Sequence, residues 1–141
     1  MNRITNFAIA AAALVSFTGP ATAQSGAETL PPPTFDAKGI ARTETVRTDF
    51  DGNREAIQVR VDFALGAAFP RHSHPGVEIA YVLAGVIEYE MNGRTYRLKA
   101  GESLSIPAGA VHSAKNVSAS TTSELATYIV AKNQPIVILA K

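Results

Sequence analysis

The sequence contains no cysteine. Disulfides are therefore excluded, and so are the thiolate sets that usually build closed structural zinc sites. Net charge is also nearly absent, with 13 Lys and Arg against 12 Asp and Glu. A chain so balanced has no electrostatic reason to seek nucleic acid or an anionic membrane. After Gly39 no segment shows a 3.6-residue apolar period of helical length, and no repeat of 20–50 residues is present. The apolar run at 7–17 has 11 residues, well short of the ~20 that span a bilayer.

That run belongs to another pattern. Arg3 gives a short positive start, Gly19 and Pro20 break the apolar segment, and Ala21-Thr22-Ala23 supplies small residues. This is the layout of a cleaved secretory signal over residues 1–23. There is no twin arginine, so export of an unfolded chain is expected, and without cysteine there is no lipid attachment at the N-terminus. Cleavage after Ala23 would leave 118 of the 141 residues and remove only Arg3 among the charged side chains. The expectation is a periplasmic or secreted protein, formally neutral and not held at the membrane. It must be stabilised by packing, helped by a metal or a partner subunit.

Residues 24–39 include Ser25, Gly26, Pro31-Pro32-Pro33 and Gly39 and read as a flexible Pro-rich linker. The remainder, 40–141, is the size of one domain. In "AIQVRVDF" the apolar Ile57, Val59, Val61 and Phe63 alternate with polar residues, the mark of a half-buried strand. "VEIAYVL", "VIEYEM", "RTYRL", "SLSI", "VHSA", "LATYIVA" and "PIVIL" follow. Turns at Ala84-Gly85, Asn92-Gly93, Lys99-Ala100-Gly101 and Pro107-Ala108-Gly109 separate several of them. Many short strands with regularly spaced turns predict an all-β antiparallel sandwich or barrel.

The chain has three histidines. His72 and His74 are two apart, so on extended backbone both point to one face. Pro75-Gly76 bends the chain, and Glu78 follows. His112 lies beyond two hairpins but can meet them inside a barrel. Three imidazoles and a carboxylate suit a divalent transition metal such as Fe, Mn, Cu, Ni or Zn. Four such ligands on an octahedral ion would leave two positions for water, dioxygen or substrate.

The glycines and prolines around these residues complete a pattern. Gly66, His72, His74, Glu78 and Gly85 satisfy G-x5-H-x-H-x3,4-E-x6-G, while Gly101, Pro107, Gly109, His112 and Asn116 satisfy G-x5-P-x-G-x2-H-x3-N. Every specified position is met. In these residues the sequence resembles the cupins, with both family motifs complete and the short inter-motif spacing (86–100) of small prokaryotic members. The resemblance covers 66–116. It implies a conical antiparallel β-barrel, the double-stranded β-helix or jelly roll. It also implies that His72, His74, Glu78 and His112 ligate one metal.

Function is less constrained, because one fold hosts many chemistries. The complete ligand set disfavours storage and epimerase roles, and the lack of an attached DNA-binding segment disfavours a transcriptional sensor. The main expectation is a metal-dependent oxidoreductase resembling small cupin dioxygenases, including the quercetin type. It would act on a small oxygen-bearing molecule, with Glu78 doubling as a base. The alternative is a non-catalytic metal- or ligand-binding module. From Glu78, a period of two sends Ala80 and Val82 inward and Ile79 and Tyr81 outward. Phe63, Phe69, Tyr89, Tyr96 and Tyr128 are candidates for an aromatic pocket wall or for core packing. Arg71 would meet an anionic substrate or be solvated. The apolar content of "VIEYEM" and "PIVIL" suggests a homodimer, with Pro135 opening an edge strand.

Overall fold

The computed structural model describes residues 29–141, which form ten strands and no helix. The expected signal segment (1–23) and the first part of the linker (24–28) lie outside the described residues. Residues 29–36 have no regular structure. At their end Asp36 Oδ1 accepts the backbone N–H groups of Lys38 at 2.8 Å and Ile40 at 2.9 Å. This side-chain-closed turn, with Gly39 at φ 76°, starts the first strand.

The strands are β1 (Ile40–Asp49), β2 (Arg54–Phe63), β3 (Ala68–Ser73), β4 (Val77–Ala84), β5 (Val86–Met91), β6 (Arg94–Lys99), β7 (Ser103–Ile106), β8 (His112–Asn116), β9 (Thr122–Ala131) and β10 (Ile138–Leu139). They form two five-stranded sheets, ordered β1-β2-β9-β4-β7 and β10-β3-β8-β5-β6. Every pairing is antiparallel. The architecture is the expected jelly-roll barrel, with the core between the sheets.

Side-chain alternation explains which residues meet there. Along β9, buried and half-buried residues alternate without interruption. On β4, Glu78, Ala80 and Val82 are buried, while Ile79, Tyr81 and Leu83 are exposed, as the period-two reading requires. Ile57, Val59, Val61 and Phe63 of β2 close the same core. The hairpin of β5 and β6 turns through Asn92 at φ 52° and Gly93 at φ 73°. Two consecutive positive φ values are the geometry that an Asn-Gly pair adopts most easily.

The structure corrects one premise about surplus apolar residues. On β5, Ile87, Tyr89 and Met91 are all buried in the core, so "VIEYEM" has little apolar surface to spare. The exposed apolar residues instead include Val77, Ile79, Tyr81 and Leu83 on the outer face of β4, together with Ile138 and Leu139, besides Phe35, Val46, Phe50 and Leu65 elsewhere. Of these, only Ile138 and Leu139 form β10, at a sheet edge.

Asn116 ties three segments together. The two hydrogens of its Nδ2 are shared among the carbonyls of Phe63 (3.1 Å), Ala64 (2.9 Å) and Ser120 (2.7 Å), and its Oδ1 accepts the N–H of Ser118 at 2.8 Å. The side chain is buried, so truncation would strand main-chain groups away from water. Asn116→Ala should lower unfolding stability by about 2–4 kcal/mol in urea titration. A loss below about 0.5 kcal/mol, within the range of ordinary surface changes, would show that these groups find other partners.

Candidate metal centre

His72 on β3 and His112 on β8 are direct cross-strand partners, with ring centroids 4.2 Å apart. A bulge brings His72 to the inner face. Phe69 pairs with Ala114 and His72 with His112, so β3 spends two residues, Pro70 and Arg71, opposite Ser113 alone. On a regular strand Phe69 and His72, three residues apart, would face opposite sides; the bulge absorbs one residue and lets both face inward. Pro70 suits the bulge, having no N–H to offer the ladder.

His74 lies just past β3. The chain then turns at Pro75-Gly76 against β9, where a Cβ on Gly76 would stand 1.9 Å from the Ile129 carbonyl oxygen. Only glycine allows this approach. The Gly109 N–H donates to the His74 carbonyl at 2.9 Å, which docks the "PAG" turn after β7 onto the same segment. Glu78 enters from β4, in the opposite sheet.

The structure thus brings together all four expected residues. His72, His74, Glu78 and His112 are buried, and their ligand atoms all lie within 4.8 Å of one another. Each imidazole is oriented from behind. Nδ1 of His72, His74 and His112 faces the carbonyls of Pro70 (2.8 Å), Ile136 (2.6 Å) and Ala110 (3.0 Å). A carbonyl only accepts, so each Nδ1 carries hydrogen and each Nε2 is free to ligate. His74 Nε2 stands 2.8 Å from Glu78 Oε2, yet neither atom has a hydrogen-bond partner. His112 Nε2 is 3.2 Å from the same oxygen. Buried acceptors aimed at one point without a donor fit a divalent cation.

Burial, and next the charge of His112, lowers His72 to about 4, so it is neutral and able to ligate at neutral pH. Burial pushes Glu78 up, but His112 and His74 pull harder, and the net is a fall to about 2. Glu78 is therefore a carboxylate.

A narrow cavity opens beside these groups, with about 20 Å³ of free volume, room for one or two waters. Phe63, Phe69, Tyr89 and Tyr128 line it, as four of the five aromatic candidates. Tyr96 does not. It pairs with Tyr89 across the β5–β6 ladder and packs half-buried against the core. Arg71 is also elsewhere, exposed in a surface hollow with Glu90 and Arg94.

Two further lining residues, Glu124 and Arg42, escaped the sequence reading. Glu124 sits on β9, where the alternation through Tyr128 and Ala126 already sends it inward, so its parity could have found it. It is buried and accepts a hydrogen bond from the Tyr89 hydroxyl. Burial first, then the Glu78 charge, pushes its carboxyl up to about 8, against the opposing pull of Tyr89 and Arg42. Burial also raises both tyrosines, so Tyr89 and Tyr128 remain protonated.

Glu124 makes stability depend on pH with a defined sign. Its folded value, about 8, exceeds the ordinary 4.5, so the folded chain holds the proton more tightly. That stabilisation is complete below 4.5 and is lost as pH rises through 8. Glu124→Gln, which cannot ionise, should gain thermal stability relative to the parent as pH is raised from 5 to 9. A melting-temperature difference that stays constant over this range would contradict it.

Fold and site together define a small double-stranded β-helix protein with a buried His/Glu donor cluster. The family model described as "Cupin domain" matches residues 59–128, and the chain is a cupin-domain protein. Similar solved structures include KdgF from Halomonas sp., at TM-score 0.62 and 23% identity, covering 73% of this chain and 89% of that one. An RmlC-like cupin from Shewanella frigidimarina aligns at TM-score 0.56 and 23% identity, covering 70% and 84%. An oxalate oxidase aligns at TM-score 0.62 and 27% identity, covering 74% of this chain but 57% of its own. A search of curated proteins found no match.

Proposed function

We propose that the protein is a metal-dependent oxidoreductase of dioxygenase type acting on a small oxygen-bearing molecule. The observation that carries this reading is the donor cluster itself: three oriented imidazoles and one carboxylate, buried together beside a cavity. His72, His74, Glu78 and His112 would hold one divalent transition metal. When bound, it would supply Lewis-acid polarisation and one-electron chemistry. The likeness to an oxalate oxidase supports the oxidoreductase class.

The chain's own groups set the conditions for that chemistry. Glu78 offers a carboxylate oxygen that could take a proton from a substrate hydroxyl if its hold on the metal loosens. Phe63, Phe69 and Tyr128 give the site one apolar wall. With only about 20 Å³ free, the cavity favours a compact substrate over a large polycyclic phenol. Loaded with iron, manganese or copper, the protein should contain one metal per chain and take up oxygen with a compact hydroxy or keto compound. His112→Ala should lose both properties. One metal per chain with no oxygen uptake across such a panel would favour the non-catalytic binding module.

Two features of the chain's setting belong to the same proposal. The pattern in residues 1–23 supports export, with cleavage after Ala23. The outward row Val77, Ile79, Tyr81 and Leu83 supports a homodimer joined through the outer face of β4, since contiguous exposed apolar residues mark association surfaces. Native mass spectrometry of protein recovered from the periplasm should give twice the mass of a chain beginning at Gln24. An uncleaved chain would refute export by this signal, and a monomer would refute the dimer.

A further inference from the structure

Arg42 projects from the inner side of β1, where it pairs with Val61 of β2, and Val61 in turn pairs with Glu124 of β9. One cross-sheet row therefore carries a cation and a buried carboxyl, and both residues line the cavity that the metal ligands share. Arg42 is largely exposed, with its guanidinium 5.8 Å from the centre of the Phe69 ring. Among the described residues it forms no ion pair within 4.0 Å, although Arg47, Arg54, Arg60 and Arg97 each have an acidic partner. A guanidinium left free at a cavity, with a planar fork of donors, matches a carboxylate.

Charge balance points the same way. A bound divalent metal outweighs the single charge of Glu78, and Arg42 adds a further positive charge. Glu124 would oppose an incoming anion if ionised. Burial, the largest cause of its raised value, persists with a metal present and favours the neutral acid, which can donate a hydrogen bond. The groups facing Glu124 are Tyr89 from β5, Arg42 from β1, Glu78 from β4 and Tyr128 from β9. Of these, only Glu78 is an anion, and it is committed to the donor cluster.

We propose that the cavity takes a compact carboxylic acid, its carboxylate paired with Arg42 and a second oxygen hydrogen-bonded by neutral Glu124. This rests on the metal-centre reading above and supplies its substrate class. The cavity as it stands has room for one or two waters, so an acid of about two or three carbons is the class it could admit with the least displacement of its lining. Aromatic acids would have to displace Phe69 or Tyr128.

Titration calorimetry of the zinc-loaded protein with glycolate, pyruvate and oxalate tests the proposal, with pyruvamide as the neutral counterpart. The acids should bind, and pyruvamide should bind at least about tenfold more weakly than pyruvate. Arg42→Ala should weaken acid binding by about tenfold or more while zinc content, read by elemental analysis, stays at the parent level. Arg42 is exposed, so the variant should fold, and its melting temperature verifies that. Acid affinity of the parent should fall between pH 6 and 9 more steeply than that of Glu124→Gln. Pyruvate binding no tighter than pyruvamide, or unchanged in Arg42→Ala, overturns the proposal, and parallel pH profiles overturn the role of Glu124. Acid binding without oxygen uptake supports this inference and defeats the oxidoreductase reading. Oxygen uptake with neutral substrates that is indifferent to Arg42→Ala does the reverse.

Discussion

Acceptors that converge in a buried space repel one another unless something positive lies between them, and this constraint organises the barrel. Three imidazoles are each turned by a main-chain carbonyl so that Nε2 points inward. Glu78 completes the set from the facing sheet, at a depth where an unpaired carboxylate costs several kcal/mol. Each imidazole is oriented by its own carbonyl and not by the other donors. The barrel itself thus provides the geometry that a divalent cation would fit.

Much of this was legible in the chain because it depends on local chemistry. "VIEYEM", "RTYRL" and "SLSI" correspond closely to β5, β6 and β7, since Asn92-Gly93 and Gly101 fix where the chain reverses. The inward set Glu78, Ala80 and Val82 followed from parity alone. The four donors stood out because no histidine in the chain lies outside the cluster.

The unread portion has physical reasons as well. β1 gives almost no alternation signal, because as an edge strand it is mostly exposed and rich in Thr, Arg and Glu. With β1 unseen, Arg42 had no place in the site. Glu124 was passed over because a charged residue near the start of β9 resembles the end of the preceding polar loop. Its inward parity continues from Tyr128 and Ala126 once the strand is extended back past Leu125. Tyr96 was grouped with the wall aromatics because composition cannot separate a cavity lining from the packing behind it.

The bulge at Pro70 and Arg71 has a consequence for how this barrel can change. The face that His72 presents follows from its pairing with His112 and not from its distance along the chain from Phe69. A chain one residue shorter there could pair Phe69 with Ala114 and His72 with His112 as a regular ladder, with both side chains still facing inward. The length of the chain at this point is therefore free to vary by one residue without loss of a donor, as long as the register between β3 and β8 holds. The centre depends on which residues stand opposite one another more than on the count between them.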